Sequence, residues 1–137
     1  MNLNLAINHA HFRCGDVEAA AEFYQRVLGA EWVKRTEFGG RVIVTLRLGG
    51  TLFCLSPAAA EAAHTAEENS RRLGVYHLAF NVPNLEEAVA ECKQRGAKFV
   101  IEHLQASPTR RVAFMEAPDG MQMELMEDAE GLVGVGS

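Results

Sequence analysis

The chain has 137 residues, 48% of them hydrophobic and 23% charged, which is enough apolar material for a folded core and excludes disorder as the main state. Thirteen Lys and Arg against eighteen Asp and Glu leave a formal net charge of −5, which argues against binding nucleic acid through its phosphates or docking on an anionic membrane surface. Cys14, Cys54 and Cys92 form no Cys-x-x-Cys pair and the first twelve residues carry no Lys or Arg, so the expectation is reduced thiols in a cytoplasm, without disulfide framework, zinc ribbon or secretory signal.

Residues 5–14 alternate between apolar and polar and predict a strand. Asp16 then stands as an N-cap before a helix over 17–28, with Ala19, Ala20, Phe23, Val27 and Leu28 as its apolar stripe and Gly29 as its C-cap. Three strands follow, over 31–37, 41–48 and 51–56, joined at Gly39-Gly40 and Gly49-Gly50. The Ala- and Glu-rich segment after Pro57 predicts a short surface helix, and His64 in this segment is expected at the surface. A second series then starts. His77 opens a strand, Asn84 and Glu87 have capping-box spacing, and Gly96 closes the helix. Strands over 98–102, 111–116 and 121–126 complete it, with Pro118-Asp119-Gly120 as the last turn and His103 in a surface loop. The Gly-rich tail after Glu127 is expected to be mobile.

The two series are copies. His, Phe, Glu and Ala of the stretch from His9 recur at an offset of 68 in the stretch from His77, and Gly50-Thr-Leu-Phe-Cys-Leu answers Gly120-Met-Gln-Met-Glu-Leu at an offset of 70. Module one spans about 5–57, a connecting segment about 58–73, module two about 74–127 and a tail 128–137, all within one domain.

Strand parity separates two faces. Ala10, Phe12, Cys14, Val42, Val44 and Leu46 face the first helix, and Leu78, Phe80, Val82, Met121, Met123 and Leu125 do the same in the second copy. The opposite face holds His9, His11, Arg13, Arg47, His77, Gln122 and Glu124. A solvated sheet face would more usually carry Lys, Glu and Thr. Histidines at the matching position of both copies, with a carboxylate on the last strand, point to a metal site instead.

With Ile7-Asn8-His9 and Asp16, Gly74-Val-Tyr-His77-Leu-Ala-Phe, and Ala117-Pro-Asp-Gly-Met-Gln-Met-Glu124, the sequence over about 5–127 resembles the vicinal oxygen chelate superfamily. That superfamily includes glyoxalase I, methylmalonyl-CoA epimerase, fosfomycin-resistance enzymes, bleomycin-binding proteins and extradiol dioxygenases. The resemblance implies an α+β fold of two tandem βαβββ modules, with a curved mixed sheet around a cavity and helices on the outer face. It also implies one divalent ion (Zn, Ni, Mn, Co or Fe) on His9, His77 and Glu124, acting as a Lewis acid on a small oxygen-chelating substrate. Glu124 is expected to serve in proton transfer as well. Members of this size usually dimerise, and many build each site from both chains.

The departures narrow the choice. Cys54 stands where glyoxalase I and the epimerase place a further Glu or Gln ligand, and it is expected to line the substrate site as packing, with a thiolate ligand of the ion as the alternative. Arg13 matches a glutathione-contacting Arg of that family, whereas Ala58 replaces the glutathione-binding Asn. Phe114 replaces the Tyr of extradiol dioxygenases and the additional His is missing, which makes ring cleavage the weakest reading. His11, two residues from His9, enters the same face as a general base, an added ligand or a hydrogen-bonded wall residue. The resulting expectation is a metal-dependent glyoxalase-like lyase or isomerase. Its substrate would be anionic, a thiol adduct or acyl thioester held by Arg13, Arg41, Arg47 and Gln122. The alternatives are a metal-free sequestering protein of the bleomycin-resistance type and a metal-binding sensor without turnover.

Overall fold

The computed structural model describes residues 2–58, 65, 67–68, 71 and 73–129, with Phe38 as backbone only. Most of the connecting segment, including His64 and the short helix expected there, and the tail from 130 onward lie outside the described residues. The chain divides into two compact units, Met1–Ala63 and His64–Ser137.

Unit one runs β1 (His9–Cys14), α1 (Val17–Leu28), β2 (Glu31–Phe38), β3 (Arg41–Leu48) and β4 (Thr51–Pro57). Its four strands lie in the order β1-β4-β3-β2, with β1 parallel to β4 and the other pairs antiparallel. The strand expected from residue 5 begins at His9. The cause is its neighbour: β4 starts at Thr51, and the last bonds on that side are Leu52 N–H and Thr51 Oγ1–H to the Asn8 carbonyl. A longer β1 would have no ladder to join. Both glycine pairs that link β2 to β3 and β3 to β4 have positive φ, 60° and 79° at Gly39-Gly40 and 60° and 81° at Gly49-Gly50. Two successive positive φ values make the tight hairpin turn whose twist suits the flanking strands, and glycine adopts them without a Cβ penalty.

Asp16 caps α1 by accepting the Ala19 N–H at 3.0 Å, and Gly29 ends it in the left-handed region at φ 74°. The face that α1 buries is Val17, Ala20, Ala21, Tyr24 and Val27, with Phe23 and Leu28 half-buried. Ala19, expected in the stripe, is exposed, because at about 100° per residue it falls on the far side of a face centred near Tyr24. The Tyr24 ring meets Phe53 at 5.4 Å edge-on and Phe12 at 6.2 Å, so unit one has an aromatic centre under Val44, Leu46 and Leu55.

Unit two runs β5 (His77–Asn81), α2 (Leu85–Gln94), β6 (Phe99–Gln105), β7 (Arg110–Glu116), a short 3-10 turn (Pro118–Gly120) and β8 (Gln122–Asp128). The order β5-β8-β7-β6, with β5 parallel to β8, copies unit one. Its core is built from Leu85, Val89, Val112, Met115, Met123 and Leu125. His103 is exposed as expected, but it lies within β6 rather than in a loop. Pairing with β7 resumes at Leu104 and Gln105 after the register shifts, which carries the strand past it.

The start of α2 is held twice. Asn84 accepts the Glu87 N–H at 2.9 Å, and Glu127 of β8 accepts the Leu85 N–H at 2.7 Å. Arg111 bridges Glu127 and Glu86. The Leu85 N–H and then Arg111 hold the Glu127 carboxyl below its ordinary range, and Arg111 does the same for Glu86. No helix among the described residues is long and apolar enough to cross a membrane.

Candidate functional site

In unit two, adjacent parallel strands bring His77 and Glu124 together. His77 stands opposite Gln122 in register and Ala79 opposite Glu124, so the pair meets diagonally, with His77 Nε2 2.8 Å from Glu124 Oε1. Both side chains are largely covered, at 23% and 12% exposure. Phe114, in register with Glu124 on β7, sets its ring edge-on to His77 at 5.2 Å, and Tyr76 flanks it at 4.9 Å. His77 Nδ1 is buried without a hydrogen-bond partner among the described residues. Left without a partner, such an atom costs about 1–3 kcal/mol.

In unit one, His9, His11 and Arg13 share one face of β1, and Cys54 lies on the adjacent strand between His11 and Thr45 in register. Thr45 Oγ1 is 3.9 Å from Cys54 Sγ. His11 Nε2 bonds Ser56 Oγ at 2.7 Å, and the His9 and His11 rings are 6.4 Å apart. His9 Nδ1 bonds Asn8 Oδ1 at 2.8 Å. With the amide oxygen as acceptor, the bond is made by the Nδ1–H form of His9. Arg13, Arg41 and Arg47 are exposed, with Arg47 3.9 Å from Glu31.

These residues fit a divalent ion of borderline softness. An imidazole nitrogen and a carboxylate oxygen, here 2.8 Å apart, are both donor types that such an ion takes. No group of three or more His, Cys, Asp or Glu side chains that could hold a metal ion gathers among the described residues.

Asn8 and Ser56 were not singled out as site residues by the sequence. The signal for Ser56 was its parity: it falls on the face of Cys54, two residues on. Asn8 lies outside the strand and gave no such signal.

A family model described as the Glyoxalase/Bleomycin resistance protein/Dioxygenase superfamily matches residues 6–125, and the chain belongs to that superfamily. A lactoylglutathione lyase from Neisseria meningitidis serogroup A is 31% identical over 130 residues, 90% of this chain and 91% of that protein. Among solved structures, a glyoxalase family protein from Enterococcus faecalis superposes with a TM-score of 0.74 at 22% identity, covering 92% of this chain and 100% of that one. A fosfomycin resistance protein from Listeria monocytogenes, complexed with Mn(II) and a dihydroxypropylphosphonic acid, gives a TM-score of 0.67 at 14% identity, covering 92% of this chain and 94% of that one. The superfamily is thus shown for this chain, and the relatives it matches include proteins named for an enzymatic activity.

Proposed function

We propose that the chain is a divalent-metal-dependent, glyoxalase-like lyase or isomerase that moves a proton on a small, anionic, oxygen-chelating substrate. The observation that carries this reading is the His77–Glu124 pair at 2.8 Å, an imidazole and a carboxylate turned toward each other on neighbouring strands. In this reading His9, His77 and Glu124 would hold the ion. When bound, the ion supplies a Lewis acid that stabilises negative charge on the chelating oxygens of the substrate.

The rest is done by the chain. His11 takes a proton from the carbon beside the chelating oxygen, the task that a carboxylate at position 54 performs in glyoxalase I. Glu124 serves as the second proton carrier. Arg13 and Arg47 bind the anionic end of the substrate, and Gln122, opposite His77 in register, hydrogen-bonds its polar body. Cys54 lines the wall beside Thr45. The working form is a homodimer with each site drawn from both chains, and Cys14, Cys54 and Cys92, all thiols, suit a cytoplasmic setting.

The test is metal content per subunit, for wild type and His77→Ala, purified without chelator or His tag and reloaded separately with Ni, Zn and Mn. About one ion per subunit in wild type and none in the variant is the expected result. Activity is then sought with lactoylglutathione, hemithioacetals, CoA thioesters and epoxides. No metal in either protein would overturn the reading in favour of metal-free ligand sequestration.

A further inference from the structure

We propose that Ser56 is the positioning residue of His11: its buried hydroxyl accepts the His11 Nε2–H and so leaves Nδ1 bare, as the atom that receives the substrate's proton. This rests on the reading of His11 as the proton-transfer group.

Three observations carry it. The Nε2–Oγ distance is 2.7 Å, and Ser56 is only 4% exposed, so its hydroxyl must find its partner within the protein. The bond runs between unequal supports. Ser56 sits on β4, which is flanked by strands on both sides, while His11 sits on β1 at the sheet edge, so the serine fixes the ring rather than the reverse. The third observation is the internal copy. By register, the counterparts of His11 and Ser56 in unit two are Ala79 and Met126, two side chains that can form no such bond. The imidazole and its hydroxyl partner are thus present together in one module and absent together in the other. The module that has them is the one with Cys54 in the place of Glu124.

The tautomer decides the chemistry. A hydroxyl that donated to Nε2 would put the ring proton on Nδ1 and make the outward nitrogen a donor. A hydroxyl that accepts from Nε2–H leaves the outward nitrogen a base, as an acceptor behind any working histidine does. In the step that follows, the substrate's C–H bond breaks and its electron pair stays with the substrate as the carbonyl oxygen takes the charge. The proton passes to Nδ1, and the imidazolium then returns it to the neighbouring carbon, so the ring ends as it began.

The experiment compares zinc-loaded wild type, Ser56→Ala, Ser56→Thr, Ser56→Cys and His11→Gln by ring-15N NMR at fixed pH and by steady-state kinetics. The His11 signal, identified by its loss in His11→Gln, is expected as a single Nε2–H tautomer in wild type and Ser56→Thr and as a mixture in Ser56→Ala. Ser56→Ala and Ser56→Cys should lower kcat about tenfold with KM within about twofold, and Ser56→Thr should restore it. The thiol variant keeps the volume of the serine, so it carries the test if the alanine variant does not fold. An Nδ1–H tautomer in wild type, or a tautomer and kcat unmoved in Ser56→Ala and Ser56→Cys, overturns the proposal. Absence of turnover with every substrate, beside a Ser56-dependent tautomer, would refute the enzymatic reading and leave Ser56 as the residue that orients the ring.

Discussion

Unit one and unit two share a strand order, a parallel pairing of first and last strands, and a side-chain-capped helix, yet they fill that frame differently. Under its helix, unit one packs rings, with Tyr24 and Phe53 both almost fully buried, while unit two packs the thioethers of Met115 and Met123. On the opposite face the exchange goes further: Cys54 for Glu124, His11 for Ala79 and Ser56 for Met126. The frame depends on period-2 alternation, on turns and on caps. It places no demand on the chemistry of the outward face. A duplicated module can therefore diverge at its site while its core keeps the same parity.

The largest effect expected concerns which chains supply the ligands. His9→Ala and His77→Ala proteins should each fail to retain metal. An equimolar mixture, allowed to exchange subunits, should recover about a quarter of the wild-type sites, because half the dimers are mixed and each carries one intact site. Elemental analysis of the mixture measures this, and zero recovery would mean that one chain supplies all three ligands.

The cores come next. Phe53→Ala removes a ring from a three-ring cluster and should cost about 3–5 kcal/mol by urea unfolding. At the matching position in unit two, Met123→Leu nearly conserves volume and should cost less than about 1.5 kcal/mol. Similar losses would show that the aromatic centre is no more demanding than the methionine one.

Restoring the second carboxylate erases part of the contrast. Cys54→Glu puts a carboxylate diagonal to His9, as Glu124 is to His77, and should tighten metal binding about tenfold in calorimetric titration, or about 1.4 kcal/mol. Unchanged affinity would mean that position 54 does not reach the ion.

The smallest effect is one of pH. The Glu127 carboxyl is lowered in the folded state by the Leu85 N–H and Arg111, so its contribution is complete above the ordinary carboxylate range. It is lost as pH falls through the lowered folded value. Glu127→Gln should therefore melt below wild type at neutral pH and together with it in strong acid. A gap that widened in acid would contradict the assignment.

Much of the frame was legible because it follows from short-range rules. Asp16, Gly29, Asn84 and the glycine pairs mark their own elements, and β3 was bounded to the residue. The offsets of 68 and 70 matched His9 with His77 and Cys54 with Glu124 before any pairing was known. What stayed hidden depends on neighbours distant in sequence. The start of β1 is set by where β4 begins, and the membership of His103 in β6 by the reach of β7. Ser56 acquires its role only when parallel pairing carries it next to His11, and Glu127 only when β8 passes the start of α2. Ala19 was misplaced for a local reason: small size suits either side of a helix, and the turn angle rather than apolarity assigns the face.

The parallel contact between first and last strands also orders assembly in time. β2, β3 and β4 are successive antiparallel strands on two-residue turns, and they can zip as a local meander. β1 precedes them in the chain, yet among the described residues its one strand neighbour is β4, so its ladder forms only once β4 is in place. The same order recurs between β5 and β8. Each module thus closes late, at the seam where its histidine strand meets its last strand, and the candidate site forms on that seam.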